Sequence, residues 1–176
     1  PPPPTWRDLR ASLAEGRADV ALNALEIRED GGTRFSSPYY VASQAIGVRA
    51  TETRIYELHD LAGKKVATTR GSVAEAILTR LRPKATAMLS DDTETPFRSL
   101  RTSHADAVLL EAAMVRAWVR REPRAFRLAG RPVLPRPYGA AVRRANPKLL
   151  SAVDAALSAM RKDGKHAKIL RNWGLW

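Results

Sequence analysis

Two groups of residues in this chain are of types, and at spacings, that suit the handling of a small charged molecule. The first is Thr69-Arg70-Gly71-Ser72-Val73. Val66 to Thr69 reads as a buried strand, Gly71 supplies the turn and Ser72 opens a helix. Free backbone N–H groups then point beyond the strand's end, where an anionic group fits. The second group is Asn23, Glu26 and Arg28, delivered by the carboxyl end of Ala18-Asp-Val-Ala-Leu-Asn-Ala-Leu25, an apolar run of the kind found in buried parallel sheet. Glu26 and Arg28 are two residues apart, so an extended chain sets them on one face. There they either pair with each other, meet a ligand of opposite charges, or sit on a solvated rim, because unpaired charge in a closed site is costly.

Other chemistries find less support. His59, His104 and His166 lie in different elements, without carboxylates at metal-ligand spacing, and the absence of cysteine excludes disulfides, thiolate catalysis and cysteine-ligated metal. Ser36, Ser37, Ser43 and Ser72 lack a Gly-x-Ser-x-Gly context, and Thr69-Arg-Gly-Ser-Val lacks the glycine spacing and lysine of a phosphate loop. No metal and no cofactor is expected. A net charge of +12 raises the question of nucleic acid, but the arginines are scattered from Arg7 to Arg171 rather than gathered on one stripe with aromatic residues. A basic solvated surface is the simpler reading. With 44% apolar and 27% charged residues the 176-residue chain has a globular composition. No run approaches the roughly 18 apolar residues of a membrane span. The opening Pro1-Pro-Pro-Pro4 has neither the basic nor the apolar region of a signal peptide.

The elements that must position these residues alternate. Thr5 and Asp8 form a capping box for a helix carrying Trp6, Leu9 and Leu13, ended by Gly16. The Ala18–Leu25 strand follows, then a polar turn over 29–34, an extended segment from Val41 to Arg49, and a short helix around Ile55 to Leu61. The Val66 strand leads into the Ser72 helix, which Pro83 stops. Thr86 to Leu89 is a strand, Thr95 to Leu100 a short helix, Ala105 to Leu110 a buried strand, Glu111 to Arg121 a helix, and Arg127 to Pro135 an irregular proline-rich return. Tyr138 to Arg143 is extended. Asn146-Pro147 then caps a helix with the stripe Leu149, Leu150, Val153, Leu157 and Met160, and Lys165 to Asn172 forms the last helix before Trp173-Gly-Leu-Trp176. The alternation argues α/β with parallel sheets.

Several stretches, taken in order, carry a family resemblance: Gly16-Arg-Ala-Asp-Val20, Phe35-Ser-Ser-Pro-Tyr-Tyr40, Asp60-Leu-Ala-Gly-Lys-Lys-Val66 with its Gly71-Ser72 helix start, Ala105-Asp-Ala-Val-Leu-Leu-Glu111, Tyr138-Gly-Ala-Ala-Val142, Asp163-Gly164 and the closing Trp173-Gly174. Together they resemble the extracytoplasmic solute-binding proteins of the polar-amino-acid uptake family. The resemblance implies a type II periplasmic-binding-protein fold, α/β, with two lobes that trap a small polar solute. It also implies a two-segment hinge near Ser43-Gln44 and Pro137-Tyr138, with lobe one at 1–44 plus 137–176 and the inserted lobe two at 45–136. The function it implies is that of a periplasmic or extracytoplasmic receptor for an amino acid or relative, presenting it to the membrane permease of an ABC transporter. It is not that of an enzyme, although prephenate or arogenate dehydratases share the fold and would use Glu26 or Glu111 as acid or base.

By the same resemblance the N–H groups of Arg70-Gly71-Ser72-Val73 hold an α-carboxylate and Glu111 takes the α-ammonium, a glutamate where an aspartate is usual. Tyr40 is a further candidate contact. The chain departs from the pattern in its first lobe: the usual threonines and arginine are replaced by Glu26-Ile-Arg28-Glu-Asp-Gly-Gly32, with Arg28 or Arg34 as candidate substitutes. The family also carries a strand-helix-strand ahead of the helix at Trp6. The expectation is therefore an incomplete first lobe whose Leu149–Met160 stripe, with Val20 and Leu22, lacks a covering layer. A missing partner segment or self-association would cover it. A sensor or accessory module with altered ligand binding is the alternative.

Overall fold

The structure is a computed structural model and describes residues 6–28, 32–80 and 84–175. The Thr5 cap, the Asp8 side chain, positions 29–31 of the polar turn, Pro83 and Trp176 lie outside the described residues. In chain order the elements are α1 (Trp6–Ala14), β1 (Val20–Ala21), β2 (Thr33–Phe35), β3 (Tyr40–Arg49), a 3-10 turn (Leu58–Leu61), β4 (Lys65–Thr69), α2 (Val73–Arg80), β5 (Thr86–Ser90) and α3 (Thr95–Arg101). There follow β6 (Ala107–Glu111), α4 (Ala112–Arg121), β7 (Phe126–Tyr138), β8 (Ala141–Arg143), α5 (Pro147–Lys162) and α6 (Lys165–Asn172). The chain divides into two compact units, one running to Val41 and resuming at Arg136, the other Ala42–Pro135.

The Ala42–Pro135 unit is built on a sheet in the order β5-β4-β6-β3-β7. β4 lies parallel to β5 and β6, with Thr69 opposite Ser90 and Ala67 opposite Val108, while β3 runs antiparallel to β6 with Gln44 opposite Glu111. Side chains of a strand alternate between faces, and both faces here are apolar, which is why helices cover both. Ala45, Ala67, Val108 and Leu110 pack with Phe97, Leu100 and Val115 of α3 and α4. Ile46, Val66, Ala107 and Leu109 pack with Ala74 and Leu78 of α2 and with Leu61. Phe97 is fully buried, its ring stacked on Trp118 at 4.7 Å and edge-on to Phe126 at 5.4 Å.

The other unit holds an antiparallel sheet, β1-β8-β2, pairing Val20 with Val142 and Arg34 with Val142 from the other side. Leu13 of α1, four residues beyond Leu9, closes on Ala21, Leu25 and Ala141. At the start of α5 the Asn146 side chain accepts a hydrogen bond from the Leu149 amide at 3.2 Å, with Pro147 in the first turn, as Asn-Pro predicts. The α5 stripe is half-buried, Leu22 is 61% exposed and Trp173 78% exposed.

Four expectations are corrected. Ala18–Leu25 is not a buried parallel strand: only Val20 and Ala21 pair, antiparallel to β8, and the positive φ of 49° at Ala24 ends the extended chain. Strand structure begins at Thr33, inside the stretch read as a turn. The short helix read over Ile55 to Leu61 is present only in its second half, as the 3-10 turn Leu58–Leu61, with Ile55 buried ahead of it. Arg127–Pro135 is part of the thirteen-residue strand β7. Proline cannot donate to a ladder, but β7 stands at the sheet edge, where Pro132 and Pro135 leave only one side's bonding to satisfy. The parallel sheet of the sequence reading is thus confined to β4, β5 and β6.

Candidate functional site

Because β4, β5 and β6 are parallel, their carboxyl ends share one edge of the Ala42–Pro135 sheet. Arg70 and Gly71 leave β4 there, Asp91 leaves β5, and Glu111 ends β6 opposite Gln44. Ligands of open α/β sheets bind outside such ends. The geometry just behind the edge is held by Thr68, whose fully buried hydroxyl donates to the Leu109 carbonyl at 2.8 Å, and by the Arg70 amide donating to the Ser90 carbonyl at 2.9 Å.

The turn itself differs from the sequence expectation in one respect. Gly71 takes a φ of +71°, and its N–H donates not to open space but to Oε2 of Glu75 at 2.5 Å. In return, Ser72 Oγ accepts from the Glu75 amide at 3.1 Å. Ser72-x-x-Glu75 has the spacing of a capping box, but the Glu75 carboxylate reaches one residue further back, to the Gly71 amide, rather than to that of Ser72. By helix geometry, the amides of Val73 and Ala74 remain without an intrahelical acceptor. The exposed Arg70 guanidinium pairs with Asp91 at 3.0 Å. Glu111 is half-buried with no side-chain capping bond at the start of α4, and burial pushes its carboxyl above the usual range.

In the other unit the Glu26–Arg28 pairing is corrected. Ile27 N–H donates to the Pro137 carbonyl at 2.9 Å and Glu26 bridges Tyr138, so the 25–28 segment runs alongside 136–138. Arg136 therefore meets Glu26 in a bidentate pair, Nε to Oε1 at 2.9 Å and Nη2 to Oε2. No sequence signal announced a partner 110 positions away. Tyr40 faces Tyr138 with ring centroids 6.1 Å apart. The neighbouring Tyr39 hydroxyl accepts the Ala24 amide at 3.0 Å. Asn23 and Arg28 are exposed, and Arg28 acts on Glu26 through its charge rather than through a hydrogen bond. Ser43 is half-buried and Gln44 is 6% exposed on β3; Pro137 and Tyr138, half-buried, end β7. Among the described residues no His, Cys, Asp or Glu group is arranged to hold a metal, and no helix is long and apolar enough to cross a membrane.

The Arg136 hydrogen bonds hold the Glu26 carboxyl below its ordinary value, and the charges of Arg136 and, further down, Arg28 add to this. A depressed folded-state value contributes stability above the unfolded carboxylate range that is lost as pH falls through the folded value. Glu26→Gln is expected to remove that acid-side dependence, bringing the variant's and the parent's melting temperatures together as pH drops below the carboxylate range. A constant gap down to that acid limit contradicts the assignment.

A match to the bacterial extracellular solute-binding proteins, family 3, extends over residues 2–175, and the chain belongs to that family. The L-cystine-binding protein TcyJ of Escherichia coli (strain K12) is 29% identical over 174 residues, which is 97% of this chain and 65% of the relative, so the chain spans just under two thirds of that protein's length. Among solved structures, an ancestral arginine-binding protein bound to arginine is 32% identical, with a TM-score of 0.68 over 93% of this chain and 74% of that one. An ancestral cationic amino acid solute binding protein is 25% identical, with a TM-score of 0.84 over 97% of this chain and 76% of that one. The fold is the α/β type II periplasmic-binding-protein fold, and the family is one of solute-binding proteins.

Proposed function

We propose that this chain is part of an extracytoplasmic receptor, periplasmic where the cell has a periplasm, that binds an amino acid or a close relative and presents it to the membrane permease of an ABC transporter. The observation that carries this reading is the pairing, at the carboxyl ends of neighbouring parallel strands, of a Gly71-Ser72 helix start with the half-buried carboxylate of Glu111. A free amino acid has an anionic and a cationic group on one carbon, and this edge offers amides to the one and a carboxylate to the other. The names of the relatives, which bind cystine and arginine, support the amino-acid class. In this reading the amides of Val73 and Ala74, positioned by the Arg70-Gly71-Ser72 turn, hold the carboxylate and Glu111 the ammonium. Asn23, Glu26, Arg28 and Tyr40 are the further candidates, Ser43-Gln44 and Pro137-Tyr138 the hinge, and 1–44 with 137–176 and 45–136 the lobes.

The test is thermal stabilisation by a panel of amino acids. At least one is expected to raise the melting temperature, and Glu111→Gln to weaken that ligand about tenfold or more, because a charge-assisted bond to its ammonium is lost. A panel without response from a folded chain overturns the proposal. A second reading, a binding module with altered ligand chemistry, is favoured by the Glu75 carboxylate already seated on the Gly71 amide. Glu75→Gln decides it: stronger carboxylate binding means Glu75 competes with the ligand, and a variant that remains without response supports the altered module.

A further inference from the structure

The Ala42–Pro135 unit also has a cavity of about 750 Å³ between the 56–59 segment and the edge strand β7. That size is within the range of small-molecule sites. Its wall is apolar where Ile46, Leu58 and Val133 contribute, and Ile46 belongs to the buried core cluster on that face of the sheet. Gly130 fixes the wall's shape: at a φ of +62° its backbone approaches Tyr56 so closely that an added Cβ would lie 2.0 Å from the Tyr56 carbonyl oxygen.

The charges around the opening decide what kind of molecule fits. Glu57 is engaged by His59 Nδ1 at 3.3 Å and by its capping box with Asp60. Asp60 in turn accepts the Tyr56 and Glu57 amides at 2.9 and 3.0 Å and meets His59 Nε2 at 3.1 Å. Arg127, behind the Tyr56 ring at 5.4 Å, donates its Nε to the Glu52 carbonyl at 2.9 Å. Arg131 is exposed and lines the cavity, and its guanidinium has no hydrogen-bond or ion-pair partner among the described residues. The two carboxylates keep their charge but are held by the backbone amides and His59, so Arg131 is the lining group left to bond a ligand.

We propose that this cavity is a second ligand site, distinct from the strand-end edge, for a small monocarboxylate with an apolar or aromatic body. The carboxylate pairs with Arg131, a fork that matches it in two bonds, and the body covers Ile46, Leu58 and Val133 beside the Tyr56 ring. The proposal does not depend on the amino-acid reading, since none of its residues is in the proposed amino-acid site.

The test is an amide NMR titration of the isotope-labelled chain with phenylpropionate, with acetate and phenethylamine as controls. Shifts are expected at 46, 56–59 and 130–133 with phenylpropionate alone, and Arg131→Gln is expected to weaken binding about tenfold or more. Unmoved amides overturn the proposal, as does an equal response to acetate, which has the charge without the body. An equal response to phenethylamine, or an Arg131→Gln variant that binds as well as the parent, also overturns it. Shifts confined to 69–73 and 111 would place phenylpropionate at the strand-end edge instead.

Discussion

Phe97→Ala is expected to destabilise the Ala42–Pro135 unit by about 3–5 kcal/mol, the range for truncating a fully buried phenylalanine. Phe97 has no exposed surface and lies between Trp118 and Phe126 in the cluster that joins α3 and α4 to the sheet. Alanine removes the ring and leaves a cavity whose walls are rings, which cannot collapse by rotating about one bond. The aromatic contacts add to the loss, since such pairs are worth about 0.5–1.5 kcal/mol beyond area burial. Urea unfolding followed by the fluorescence of the four tryptophans, of which Trp118 stacks on Phe97, measures it, with Phe97→Leu retaining most of the volume and losing much less. A Phe97→Ala midpoint close to the parent's would mean that the two helices are held by other contacts.

The second large effect is at Gly130. Alanine there must take a φ of +62°, and its Cβ meets a backbone oxygen at 2.0 Å rather than the end of a flexible side chain. The 55–58 segment must therefore move, and the expected loss is about 3 kcal/mol or more, the sum of backbone strain and overpacking. Gly71 provides the internal comparison: its φ is +71°, but nothing lies within 4 Å of an added Cβ. Gly71→Ala is expected to cost only the conformational term, about 1 kcal/mol. Equal losses at the two positions would rule out the steric contribution at Gly130.

What could be read from the sequence follows from range. The Asn146-Pro147 start of α5, the Pro96 helix and the buried β4 and β6 rest on neighbouring residues, and the structure has them where local pattern puts them. The family was legible for the same reason, being carried by short stretches in a set order. Pairings between distant segments were not. Arg136 lies in a Pro-Arg-Pro stretch that reads as irregular chain, yet the pairing of 25–27 with 137–139 brings it onto Glu26. Ala18–Leu25 has the apolar content of a buried strand, but which strand it joins, and in which direction, is decided by β8 more than 100 residues on. Glu75 was legible too, since its spacing from Ser72 signals a helix cap, and that cap brings an internal carboxylate to the turn where an external anion was expected.

The buried Thr68 hydroxyl has a consequence beyond the single bond it makes. Its carbonyl target on Leu109 is available only in the observed alignment of β4 with β6; a slip of one residue turns the hydroxyl to the opposite face and leaves both groups without each other. That alignment also determines which residue of the turn stands beside Glu111. A side chain that never reaches solvent thus acts as the gauge for the strand-end edge, fixing which residue of the Arg70–Val73 turn stands level with Glu111.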